Sequence, residues 1–422
     1  MSHPIVVTMI CDGHRPDFVS EATTPQMARL RQAGTWFADH RGIFPSATRA
    51  SSASIATGCW PVSHGLRGNS VALPSAGGHH VHDAGMPEFF DTYRQHFGRL
   101  LMRPSLSARV SGLHGALLCS NVSPGAAWFH DADGHAELYH RELSYRPGRE
   151  PLPAIDAPAG AKGDAVLTEQ FITTLLERPP SVATLWLSEP DKTMHAFPLG
   201  SPQHLAALRV VDGHVGAVAE AVERLRDRGH EVLLMVGSDH GHESVTETVP
   251  VERRLFEAGF KAELESPDVV VACQGTSAFI HFGGDALARR DEVADWLGQQ
   301  SWAGRIMRGE DLAALGQIPA SDVLALDMAK SPGSNRNGVP GLTAMAVRFS
   351  ETEDAVRRDC GMHGGLGRYE TNPTLIAVGN GFAAGSVVTM QSRIIDLAPT
   401  ALRHLGLPQD GLDGVALVAS PG

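Results

Sequence analysis

Cysteine is scarce in this chain. There are five in 422 residues (Cys11, Cys59, Cys119, Cys273 and Cys360), odd in number, scattered and with no CxxC pair. That pattern excludes a disulfide framework and points to a reducing compartment. Charge is also sparse, at 19% of residues, and the net value of −12 argues against general nucleic-acid binding, which needs a basic footprint. An anionic small substrate stays compatible, because bound cations can invert the local field. No apolar run approaches the ~18 residues of a membrane span. Nor does the N-terminus show a basic leader, since Pro4–Ile10 already reads as a buried strand. The expectation is a cytoplasmic protein with no membrane and no regulatory nucleic-acid partner. What is present is a 42% apolar fraction, enough for a large core, and 21 histidines beside only 35 Lys and Arg, which points towards metal chemistry.

Strand-like runs alternate with helical patterns, as in an α/β fold with a mostly parallel sheet flanked by helices. Ile5–Ile10, Val182–Leu187 and Glu231–Val236 read as buried strands, and Thr374–Val378 as a fourth. Pro25–Ala33 reads as a helix. Leu208, Val211, Val215, Val218, Val222 and Leu225 recur at helical spacing, and Ile394–Leu405 is a helix stopped by Gly406 and Pro408. Between about 245 and 360 the pattern shifts to short strands (Val269–Ala272, Ala278–Phe282) and short helices (Asp285–Leu297). Lys330–Leu342, rich in Gly, Pro, Ser and Asn, reads as a loop. The expected organisation is a core of 1–245 plus 359–422, carrying a substrate-selecting cap at 246–358. Residues 68–110 form a further excursion whose Ser75–His82 part is weakly patterned.

Three aspartates stand where three of these strands end: Asp12, Asp191 and Asp239. In an open parallel sheet the carboxyl ends share one edge, and ligands bind there. Asp191 and His195 are four apart, on one face if a helical turn follows the strand. Asp239 adjoins His240, and His363 lies in Gly-rich surroundings. A plain reading stands beside each: strand-end Asp residues often cap helices, and His14 and His242 lie as close to the acids as the others do. Three Asp with three His suit two transition-metal ions of the zinc or manganese type, since imidazole disfavours magnesium. Thr48 precedes a short helical stretch, Ala50–Thr57, ending at Gly58. It reads either as an N-cap or as a nucleophile at a helix N-terminus, where free N–H groups favour an anion.

Taken in order, Cys11-Asp-Gly-His-Arg-Pro-Asp17, Thr48 with Ile55-Ala-Thr-Gly58, Pro61-Val-Ser-His-Gly65, Glu189-Pro-Asp191 with His195, Ser238-Asp-His-Gly241 and Met362-His-Gly364 resemble the alkaline phosphatase superfamily. Within it the chain is most similar to the nucleotide pyrophosphatase/phosphodiesterase branch. The C-terminal Ile395-Asp-Leu-Ala-Pro-Thr400 adds a superfamily-like signature. The resemblance covers about 1–245 and 355–422. It implies one divalent ion, zinc or alternatively manganese, on Asp191, His195 and His363, and a second on Asp12, Asp239, His240 and the Thr48 oxygen. It also implies in-line attack by Thr48 on phosphorus, a covalent phospho-threonine and its hydrolysis. Three carboxylates and one alkoxide would balance the charge of two such ions. Phosphodiesterases of this kind carry an Asn three residues after the nucleophile or nearby, donating to a phosphoryl oxygen. Here that place falls to Ser51, whose hydroxyl has a shorter reach.

Arg15, Arg49, Lys192 and Arg368 lie near the motifs without a monoesterase pattern, which favours a phosphodiester or phosphonate substrate. Two alternatives accompany that reading: a phosphonoacetate hydrolase-like enzyme cleaving a C–P bond, and a non-catalytic metal-binding relative. Neutral ligand histidines and an ionised hydroxyl imply activity at neutral to alkaline pH.

Overall fold

The computed structural model describes residues 2–348 and 358–418. At its centre is a ten-stranded sheet whose five middle strands are parallel. In spatial order these are Glu137–Tyr139, Ala116–Ser120, Val182–Leu187, Pro4–Cys11 and Glu231–Gly237. Leu375–Val378, expected as one more strand, lies antiparallel beside Glu231–Gly237. The mostly parallel α/β architecture is therefore the one the alternating pattern implies.

Successive residues of Pro4–Cys11 point to opposite faces, and both faces are covered. Ile5, Val7 and Met9 pack in one cluster with Val211, Val215, Val218 and Val222 from the helix Pro202–Asp227. Val6 and Ile10 pack in the other with Ile55, Leu397 and Leu402 from the helices Thr48–Thr57 and Leu397–His404. Each such fully buried aliphatic side chain contributes roughly 1.5–3 kcal/mol. This two-sided core fixes the strand register. Cys11 is level with Leu187, and Ile10 with both Trp186 and Gly237, so three adjacent strands end at one height.

The insertion builds an antiparallel sheet in the order Val269–Cys273, Ser277–Phe282, Val323–Met328, Ala303–Met307, closed by the helix Arg290–Leu297. Lys330–Leu342, expected as a loop, is instead largely a hairpin: Lys330–Ser334 pairs with Pro340–Ala346. Its polar residues face solvent along an edge strand, and Asn335 Oδ1 organises the turn by accepting from the N–H groups of Asn337 and Val339. Pro340–Ala346 in turn pairs with Glu243–Val249, which also pairs with Gly361–Met362. The boundary expected between 245 and 246 thus falls inside a strand, and the insertion is continuous with the core through this sheet. Its far boundary adjoins 349–357, outside the described residues. The excursion after residue 68 is a hairpin, Ser70–Ser75 with Gly78–Asp83, followed by the helix Pro87–Phe97.

Candidate active site

Asp12 and Asp239 leave adjacent strands at the same edge, and both are almost fully buried. Asp12 Oδ2 accepts from Trp186 Nε1 at 3.0 Å, and Asp239 Oδ1 from the Gly13 N–H at 3.2 Å. Their other oxygens, Asp12 Oδ1 and Asp239 Oδ2, have no hydrogen-bond partner among the described residues. They lie 3.4 and 3.2 Å from His240 Nε2. Burial, with neighbouring carboxylates adding, pushes the Asp12 carboxyl well above its ordinary range and that of Asp239 up to about 7. Two buried acids with spare oxygens on one point are what a cation would stabilise.

Asp191 opens the short helix Asp191–Ala196, and its N–H donates to the Asp12 carbonyl at 3.1 Å. Its Oδ1 is the focus of three imidazoles: His242 Nε2 at 2.9 Å, His195 Nε2 at 3.1 Å and His363 Nε2 at 3.5 Å. Burial pushes the Asp191 carboxyl up, but His195 and His242 outweigh it and hold it well below the usual range. Burial lowers His240 and His242 to about 4 and His363 further, so these rings are neutral at pH 7 with a lone pair each.

Three of the rings share one orienting device. Nδ1 of His195 faces the Gly361 carbonyl at 3.0 Å, Nδ1 of His240 the Gly241 carbonyl at 3.2 Å, and Nδ1 of His363 the Ser46 carbonyl at 2.6 Å. A proton held on each Nδ1 leaves the Nε2 lone pair directed into the site, the arrangement metal-binding histidines use. His242 differs. Its Nε2 engages Asp191, and its Nδ1 has no partner among the described residues. It is wedged between Gly13 and Gly361, where added Cβ atoms would come 2.5 and 2.7 Å from its ring. The residues present offer two overlapping candidate cation groups, Asp191 with His240, His242 and His363, and Asp12 with Asp239 and His240, and His195 and Thr48 adjoin them through Asp191 and His240.

Thr48 is the first residue of the helix Thr48–Thr57, whose N-cap is Ala47 and offers no side-chain cap. The plain N-cap reading of Thr48 is thereby overturned: its Oγ1 turns to His240 Nε2 at 3.1 Å. The cleft here, about 300 Å³, is lined among others by Asp12, Thr48, Asp191, His195 and His363. Ser51, expected to face substrate, does not line it. One turn into the helix, Ser51 is fully buried and its Oγ donates to the Asp239 carbonyl at 3.4 Å. Asn69 borders the cleft instead, and its Oδ1 accepts from the Arg49 N–H at 2.9 Å. Arg49, Lys192 and Arg141 add three cations to the lining. Arg15 is buried and paired with Asp17, away from the cleft. Sequence reading passed over Asn69 and Arg141, which stand in segments with no motif around them.

Residues 6–307 match the profile of the type I phosphodiesterase / nucleotide pyrophosphatase family. The chain belongs to this family. The resemblance read from the ordered motifs is therefore borne out. Human ectonucleotide pyrophosphatase/phosphodiesterase family member 1 is 23% identical over 248 residues, 57% of this chain and 24% of its own length. Venom phosphodiesterase 2 of Crotalus adamanteus is 22% identical over 249 residues, 56% of this chain and 26% of its own. The matched chain spans about a quarter of the length of these relatives. Among solved structures, murine ectonucleotide pyrophosphatase/phosphodiesterase 5, as an inactive variant in complex with AMP, superposes with a TM-score of 0.68. It is 17% identical, with 98% of this chain and 97% of that one covered, a likeness that shows the shared fold.

Proposed function

We propose that this family member is a two-metal-dependent hydrolase of phosphodiesters, with nucleotide-like substrates and Thr48 as nucleophile. The observation that carries the reading is Thr48 Oγ1 at a helix N-terminus, 3.1 Å from His240 Nε2 and beside the unpartnered oxygens of Asp12 and Asp239. Two divalent ions, zinc or alternatively manganese, would neutralise the carboxylates, favour the ionised hydroxyl and draw charge from the phosphoryl group. Thr48 Oγ, its proton lost to solvent, attacks phosphorus as the P–O bond to the leaving alcohol breaks. Water then cleaves the new threonyl ester, regenerating the hydroxyl. The first N–H groups of the helix Thr48–Thr57 and the Asn69 amide donate to the phosphoryl oxygens as negative charge builds there. AMP bound to the murine relative supports a nucleotide-like ligand. The scattered, odd-numbered cysteines with no CxxC pair are the ground for proposing a reducing compartment such as the cytoplasm.

Thr48→Ala keeps its metal content and loses turnover of an aryl phosphodiester by at least ~100-fold. Unchanged turnover defeats the proposal. The three cations round the cleft favour one second reading, a phosphonate whose carboxylate they would hold. Phosphate released from phosphonoacetate, with aryl diesters inert, would replace the first reading by that one.

A further inference from the structure

Away from the cleft, His79, His281 and Asp322 each offer a ligand atom, all within 4.8 Å of one another. They come from three separate stretches. His79 stands on the second strand of the hairpin after residue 68, and its N–H donates to the Pro267 carbonyl at 2.9 Å. His281 lies within the insertion's sheet, between Val270 and Val323. Asp322 immediately precedes the strand Val323–Met328, and its carbonyl accepts from the Phe282 N–H at 2.9 Å.

A plain side-chain contact accounts for part of this group: His79 Nε2 is 3.3 Å from Asp322 Oδ2. It does not explain His281. That ring is 4% exposed, its strand neighbours across the sheet are Val270 and Val323, and its Nε2 has no partner among the described residues. Nδ1 of His79 is likewise buried without one, and the two ring centroids are 5.2 Å apart. A buried ring nitrogen left without a partner is destabilising, and coordination offsets that.

We propose that His79, His281 and Asp322 form a third cation site, separate from the cleft, which takes a transition-metal ion of the zinc type. Two imidazoles and one carboxylate suit zinc, with water completing a tetrahedron, and are poor for calcium or magnesium. His79 also borders a cleft of about 620 Å³, an entry path for the ion. The bound metal clips the Ser70–Asp83 hairpin to the insertion. Asn69 sits at the base of that hairpin, its N–H on Gln274 Oε1 at 2.7 Å and its carbonyl accepting from the Ala84 N–H at 2.9 Å.

Zinc per chain, counted by mass spectrometry on gel-filtered full-length protein, tests the site. Wild type should hold one equivalent more than His79→Gln, and more by the same step than His281→Gln and Asp322→Asn. Both histidine variants should keep aryl phosphodiester turnover within a few-fold. The difference is independent of how many ions the Thr48 cleft binds. Equal zinc in wild type and His79→Gln overturns the proposal. His79 stands on a hairpin strand outside the insertion's sheet, so His79→Gln decides the matter even if His281→Gln fails to fold.

Discussion

Asp191 is surrounded by three histidines that do different work. His195 and His363 have their Nδ1 atoms on backbone carbonyls, so Nε2 is the atom left to bind a cation. His242 has no such carbonyl and instead donates to Asp191 itself, holding the carboxylate in place. The sequence could bring all of them near the acids but could not divide them this way, because the distinction lies in which carbonyl each ring meets. The aspartates were legible for a simple reason: each follows an apolar run that had to be a central strand, and parallel strands end together. Asn69 was not, since the hairpin that presents it carries little pattern. Placing the donor at Ser51 failed because that hydroxyl is buried against Asp239. The swap is testable in steady-state kinetics. Asn69→Ala should lose about 10²-fold or more in kcat, the range for a missing charge-stabilising donor. Ser51→Ala should stay within a few-fold, and the reverse order would restore the original assignment.

Among the elements, the segment 361–370 ties catalysis to the insertion. It carries His363, and Glu370 anchors it from within. Glu370, fully buried, accepts from the N–H groups of Gly365 and Gly367 at 2.9 and 2.8 Å, and from Ser46 Oγ and Thr276 Oγ1. Lys330 Nζ meets Glu370 Oε1 at 2.7 Å from the hairpin expected as a loop. Burial pushes the Glu370 carboxyl up, but Lys330 outweighs it and holds it below its ordinary value. Lys330→Met should therefore leave a buried carboxylate uncompensated and cost about 2–4 kcal/mol, near the lower end because the ammonium is partly exposed. A shift in the denaturant midpoint measures it; an unchanged midpoint would show that the backbone donors suffice. This coupling explains why the insertion was the least legible part. Its edge strands are polar and short, and pairing with the core decides their conformation more than local propensity does.

At the scale of the whole molecule, the many histidines are only partly a metal signal. Ten are buried, and most of these do not line the cleft. Burial lowers His40, His64 and His204 to about 3, and His130 and His140 to about 4. Their unfolded value is near 6.5, so between pH 6.5 and about 4 the unfolded chain binds more protons than the folded one. The stability these neutral rings allow is present above pH 6.5 and lost as pH falls towards 4. Each contributes up to ~2 kcal/mol of that loss by pH 5. Thermal unfolding midpoints at pH 7 and pH 5 should differ by many degrees, and a flat profile would contradict this. The fold itself was the most legible feature, because a sheet covered on both faces must be written in continuous apolar runs.

The most direct test concerns Thr48 itself. Metal-replete protein turning over an aryl nucleotide diester is quenched in acid, and its peptides are mapped by mass spectrometry. The account predicts a nucleotidyl phosphoryl group on the peptide containing Thr48, absent in Thr48→Ala. Full turnover with that peptide unmodified, or with the group on another residue, would contradict it.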